Sequence, residues 1–144
     1  MLLNLGLATF LVSLTVVIHS FGLLSLSHWM QRVIRWLRLH RHVPGKMVAM
    51  VATVLGLFFI HTVEVWAWAA LYVVVGAVAR LQDALYFSTA TFSTIGYGDF
   101  TLPPDWRLLG AIEGINGFIL IGWSTAYLVA ASTRHGPFRP GEHF

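Results

Sequence analysis

The sequence predicts an all-α membrane protein, and three observations carry that expectation. The 144 residues are 57% hydrophobic and only 10% charged, with a mean hydropathy of +0.73, whereas a soluble domain carries about 25% charged residues. Three stretches are apolar over at least the roughly 20 residues that a bilayer core requires. Between the second and the third lies a shorter apolar segment that runs into two closely spaced glycines.

A chain of this composition lacks the polar residues to cover a water-facing surface, so lipid is its default solvent. It contains no cysteine, which excludes disulfides and thiolate metal sites. It shows no nucleotide-binding fingerprint, metal-ligand array or catalytic triad. The expectation is therefore no enzyme, no cofactor, no nucleic acid partner and no small-molecule substrate.

The first span is expected over 1–26. Leu2 to Leu26 holds no Asp, Glu, Lys or Arg. It lacks the basic start and small-residue cleavage site of a signal peptide. The second span is expected from Met47 to about Tyr72, interrupted only by His61 and Glu64, and the third from Leu108 to about Ala131, interrupted only by Glu113. Asp83 to Ser93 is too short to span and reads as a re-entrant helix. Such a segment is tolerated at membrane depth only against protein or a water-filled cavity.

The connection over 27–45 contains "RVIRWLRLHR", with arginine at 32, 35, 38 and 41. Every-third spacing is that of a voltage-sensing helix. It also suits an amphipathic helix lying on the inner leaflet, with Arg32, Arg35, Arg38 and Arg41 on anionic lipid headgroups. Met30, Val33, Ile34, Trp36 and Leu37 share the arc opposite Arg32, Arg35 and Arg38. No Asp or Glu precedes Glu64, so a sensor lacks countercharges, and the interfacial linker helix is favoured. Pro44 and Gly45 then turn the chain into the second span. Basic residues collect on the cytoplasmic side. This connection and the 133–144 tail, with Arg134 and Arg139, should therefore face the cytoplasm of a plasma (inner) membrane. The N-terminus and the glycine segment then face outward.

That segment reads "TFSTIGYGDF" over 91–100. Glycine populates positive φ at little steric cost. Alternating Gly96 and Gly98 with other residues lets successive carbonyls turn the same way, which an ordinary strand does not allow. A row of carbonyls on one axis is a ladder of ligands for a hard cation. One chain supplies a quarter of each ring, so four chains are needed. Thr94 adds a hydroxyl, and the C-terminal end of the re-entrant helix brings roughly half a negative charge.

"DALYFSTATFSTIGYGD" resembles the pore helix and selectivity filter of the two-span bacterial ion channels, and "TIGYGD" within it resembles the filter of potassium channels. The likeness covers about Met47 to Ala131. It implies a pore domain over 46–132 with outer helix, pore helix, filter and inner helix, preceded by an additional span. It implies a homotetramer conducting potassium passively. Backbone carbonyls of Thr94, Ile95, Gly96 and Tyr97, with the Thr94 hydroxyl, would coordinate K+, and Gly98 completes the filter. Tyr97 stands where related non-selective channels carry Asp. A non-selective cation channel, or a non-conducting regulatory subunit of another channel, are the rival readings.

Departures from the family pattern define the expected support. Family filters are braced by two pore-helix Trp residues; here the matching positions are Tyr86 and Phe87. Some members carry a pore-helix Glu that pairs with the Asp after the filter; here the position is Ala90. Asp99 is therefore expected to rely on Tyr86, with Thr91 left for the Tyr97 hydroxyl. Glu64 lies roughly 27 Å along a helix from Lys46, and Glu113 lies a turn or two beyond Arg107. Either carboxylate is expected to brace the filter from behind or to be a structural group held by Arg107 or backbone donors. His61 reads as an interface histidine. On the third span Gly110, Gly114 and Gly117 form a small face suited to close packing. Gly117 and Gly122 are the candidate gating hinges. Ile119, Ile121, Ser124 and Thr125 are the candidate lower pore lining.

Overall fold

The structure, a computed structural model, describes residues 1–36 and 43–135, without the side chains at 36, 43, 134 and 135. The described residues form four α-helices: α1 (Leu2–Trp36), α2 (Val43–Val74), α3 (Leu81–Phe92) and α4 (Arg107–His135). A 3₁₀ turn over Pro104–Trp106 leads into α4. Three of the helices are long and apolar enough to cross a membrane, over Leu2–Arg35, Pro44–Val74 and Pro104–Thr133.

Helices are what an apolar solvent demands, because lipid offers no partner to an unpaired backbone group. The hydroxyls within the spans obey the same constraint. Thr9, Ser13, Ser20, Thr53 and Thr62 each donate to the carbonyl four residues earlier, at 2.7–2.9 Å. Each hydroxyl is thus satisfied on its own helix. Pro44 sits in the first turn of α2, where its missing N–H has no helical acceptor to serve.

α1 is a single helix through residue 36, with no break at 26. At 35 residues it is about 52 Å long, well beyond the roughly 30 Å hydrocarbon core. The first part of the expected interfacial linker therefore continues the span. No Pro or Gly stands between Leu23 and Trp36 to stop it. Met30 and Ile34, drawn above on a lipid-facing arc, instead join Leu23 and Leu26 in a core with Ala49, Leu57 and Ile60 of α2. Residues 37–42, with Arg38 and Arg41, lie outside the described residues. Two glycines permit the α1–α2 approach. A Cβ on Gly22 would stand 2.7 Å from Ile60 Cγ1, and one on Gly56 would overlap Leu26.

A second core draws on all four helices, with Leu11, Trp68, Tyr72, Ala84, Phe92, Leu109 and Leu120 among its buried members. Two amides then tie α1 to the α4 end of the chain. Asn4 Nδ2 donates to the Asp105 carbonyl at 2.6 Å, and Asn116 Nδ2 donates to Thr15 Oγ1 at 2.8 Å. Buried amides in lipid need such partners, so α1 docks on the last helix as well as on α2.

Candidate functional site

The 12 residues of α3 reach only about 18 Å, too short to span. α3 is wedged between α2 and α4. Asp83 occupies its first turn, where the helix dipole favours a negative charge. At its other end the helix stops at Phe92 and the chain enters the glycine segment without regular structure.

The backbone there alternates in handedness. Thr94, Gly96 and Gly98 take φ of 62°, 53° and 77°, while Ile95 and Tyr97 do not enter the positive region. Glycine adopts such angles freely; Thr94 does so as the one described non-glycine residue, a strained conformation for a β-branched side chain. The amides of Ile95 and Gly96 both donate to the Ala90 carbonyl at the end of α3, each at 3.0 Å. In a trans peptide the N–H and C=O point opposite ways. The Thr94 and Ile95 carbonyls therefore both face away from α3. Two successive carbonyls on one side is the arrangement an ordinary strand forbids. Within one chain Ile95 is 56% exposed and Tyr97 69%.

Support from behind is sparse. Tyr86 donates to Asp99 Oδ2 at 2.7 Å. That hydrogen bond, with lesser contributions from slight desolvation and the Asp99 charge, holds the Tyr86 phenol above its usual pKa range. Tyr86 therefore remains the donor. The Thr91 hydroxyl makes no hydrogen bond within the described residues, and its methyl lies beside Gly114. A cleft of about 180 Å³ separates α3 from the segment, bounded by Phe87, Ala90, Gly96 and Tyr97 among others. Tyr86→Phe should free Asp99 and widen this cleft. We expect the variant to lose ion flux after removal of the permeant ion several times faster than the parent, as liposome flux measured at intervals will show.

The two buried carboxylates sit in separate networks. Glu113 on α4 accepts from Tyr72 of α2 at 2.5 Å and from Ser88 of α3. Ser88 also lies within bonding distance of the Val65 carbonyl, at 3.1 Å. Glu113 thus fastens α3 to both flanking helices. Arg107 takes no part; its Nε donates to the Leu102 carbonyl at 3.4 Å. Glu64 does not reach α3. His19 Nδ1 lies 2.9 Å from its Oε1, and His61 Nδ1 lies 2.8 Å from its Oε2. Glu64 approaches the end of α3 only through the His61 ring, 5.8 Å from the Phe92 ring.

The small face of α4 is a packing surface. A Cβ on Gly110 would meet Phe87 at 3.1 Å, and one on Gly114 the Thr91 carbonyl at 3.6 Å. At Gly117 it would overlap the Phe92 carbonyl oxygen and stand 2.7 Å from the carbonyl carbon. Gly122 has open space around it. Of the candidate lining residues, Ile119 and Thr125 lie on the exposed side of α4, with Ile115 and Phe118. Ile121 packs against the core, and Ser124 is buried, bonded to His61 Nε2 at 2.9 Å.

Sequence reasoning passed over His19, Tyr72, Ser88 and Asn116. His19 carried a usable signal, being the one ionisable side chain in the middle of the first span. Ser88 and Tyr72 carried none, because a hydroxyl's partner depends on which helices meet.

Comparisons with known proteins bear on the same region. Residues 58–134 match a family model described as "Ion channel". No curated protein and no solved structure gives a match. The matched stretch takes in the second half of α2, all of α3, the glycine segment and nearly all of α4, more than half of the chain. The protein therefore belongs to the ion channel family whose unit is two membrane helices and a pore loop, and it adds a further helix at its N-terminus.

Proposed function

We propose that the chain is one quarter of a potassium-selective channel, which conducts passively and carries out no chemistry. Residues 94–98 form the filter. Potassium enters as a permeant ion and is held by the carbonyls of Thr94, Ile95, Gly96 and Tyr97 and by the Thr94 hydroxyl. The observation that carries this reading is the pair of amides, Ile95 and Gly96, that both turn to the Ala90 carbonyl. They hold the carbonyls of one peptide after another on the free side. The alternation in φ at 94, 96 and 98 continues the pattern. Rings of such oxygens replace the hydration shell of an ion.

The case for four chains is physical. Irregular backbone at membrane depth persists only when protein or a water-filled cavity surrounds it. One chain leaves Ile95 and Tyr97 largely bare. Four copies around an axis cover the filter's flanks and close each ring. The C-terminal ends of four α3 helices then direct partial negative charge at the axis. Exposed Ile115, Phe118 and Ile119 on α4 supply the apolar surface that lines the pore or meets the next copy. Tyr86, Asp99 and the Glu113 network brace the filter through α3. Arg32 and Arg35, with Arg38 and Arg41, mark the cytoplasmic end in a plasma membrane and meet anionic lipid there.

Purified protein in liposomes tests the reading. The expected results are potassium-driven flux and a detergent-solubilised protein mass of four 16.0 kDa chains. A monomeric or dimeric complex without flux would overturn it.

A further inference from the structure

A second site lies away from the glycine segment, where α1 meets α2. His19 comes from α1, and His61 and Glu64 come from α2. One donor atom from each lies within 4.8 Å of the others. His19 and Glu64 are fully buried, and His61 is partly buried, its side chain 19% exposed. Among the described residues no Lys or Arg lies within ion-pair distance of Glu64. Buried charges are paired or coordinate metals, and an ionisable group within a span usually has a function.

The spacing comes close to coordination. Tetrahedral ligands at about 2.0–2.1 Å from a metal stand roughly 3.3–3.4 Å apart. The two nitrogen–oxygen edges are 2.9 Å for His19 Nδ1 to Oε1 and 2.8 Å for His61 Nδ1 to Oε2. A carboxylate offering both oxygens between two imidazoles therefore needs each edge to open by only about 0.5 Å to take a metal. The surroundings hold the rings in place. His61 Nε2 lies 2.9 Å from Ser124 Oγ, the kind of outer partner that fixes a ligating imidazole. The His19 ring packs 5.2 Å from Trp123 and 5.4 Å from His61, centroid to centroid. Among the described residues no group bonds His19 Nε2, so that nitrogen can take the ring proton and leave Nδ1 its lone pair. A route in exists beside His61, which borders a lateral cleft of about 370 Å³.

We infer that His19, His61 and Glu64 bind a first-row divalent transition cation such as Zn2+, which fastens α1 to α2. Two imidazoles and one carboxylate suit this class and not Mg2+ or Ca2+, which prefer all-oxygen shells. With a metal on both Nδ1 atoms, each neutral imidazole would carry its proton on Nε2, where His61 would donate to Ser124 Oγ, and the Glu64 charge would meet the metal directly. Through Ser124 the site touches α4, so occupancy stiffens the contact between the added N-terminal helix and the last helix. The site does not depend on the conduction reading, since its readout needs no ion flux.

The test is calorimetric titration of the chelator-stripped full chain with Zn2+, followed by X-ray absorption spectroscopy of the bound metal. We expect one Zn2+ per chain with scattering from two imidazoles. His19→Gln and His61→Gln should each weaken binding by at least 100-fold, and Ser124→Ala by roughly 10–100-fold. Helical circular dichroism checks that the variants fold; if they do not, the ligand count on the parent chain decides. No binding to the parent chain would overturn the assignment, as would an all-oxygen shell or undiminished binding in the double variant His19→Gln/His61→Gln. A cluster that answers only to acid, with no bound metal, also overturns it.

Discussion

Gly117→Ala is expected to abolish ion flux and to lower the thermal stability of the solubilised protein, whereas Gly122→Ala should stay within about twofold of the parent in both. The two glycines are five residues apart on one helix, and sequence alone offers both as hinges. The structure separates them. A methyl at 117 would enter the carbonyl group of Phe92, and a backbone group cannot rotate aside as a side chain does. Overpacking an ordinary core site costs about 1–3 kcal/mol; here α3 itself has to shift, so the cost should reach the upper end. The displaced element also ends in the Ala90 carbonyl that anchors Ile95 and Gly96. Damage therefore passes directly to the segment proposed to select ions. A methyl at 122 meets nothing within 4 Å. Parallel melting curves and flux per reconstituted protein check this. A Gly117→Ala protein that melts like the parent but opens less often would mean a hinge rather than a contact.

Glu113→Ala should be the most damaging single change on the buried faces of α2, α3 and α4. It removes the acceptor for Tyr72 and Ser88 together. Each hydrogen bond contributes about 0.5–1.5 kcal/mol net, and each abandoned buried donor adds a desolvation cost of about 1–3 kcal/mol. The expected loss is therefore about 3 kcal/mol or more. Glu113→Gln retains an acceptor oxygen and should lose about half as much. Tyr72→Phe and Ser88→Ala remove one donor apiece from the same carboxylate, so their effects should not add. A coupling of about 0.5–3 kcal/mol in the double-mutant cycle is expected. Effects that add to within about 0.5 kcal/mol would show two independent contacts in place of one network. Flux should fall with stability in this series, because Ser88 lies on the helix whose end carries the segment proposed as the filter.

Much of this was legible in the residues, and the reasons differ by level. Span positions follow from composition: the second and third lie within a few residues of expectation, because the length of an apolar run is a local property, whereas the first runs on past Leu26 to Arg35. The short α3 and the handedness of Gly96 and Gly98 follow from glycine's steric freedom. The positive φ at Thr94 was not legible; it arises because the chain must leave α3 and turn two amides back to Ala90. The small face at Gly110, Gly114 and Gly117 was readable as packing, but its partner, the end of α3, was not. Glu64 shows where one-dimensional reasoning fails. Its depth along α2 suggested the pore helix, yet its partners are His61 on its own helix and His19 on α1. Which face of α2 meets α1 is set by the Gly22 and Gly56 crossing, and that is knowable only once both helices are placed. The basic linker shows a related failure. An arc of apolar residues fits lipid and protein equally well, and for Met30 and Ile34 the neighbour is α2.

The account rests on oxygens of one backbone segment taking the place of water around potassium. The most direct measurement is the bi-ionic reversal potential of the purified chain in a planar bilayer, with K+ on one side and Na+ on the other. The account predicts a large displacement toward the potassium equilibrium potential, set by the carbonyls of residues 94–97. A reversal potential near zero, meaning that both ions pass alike, would contradict it.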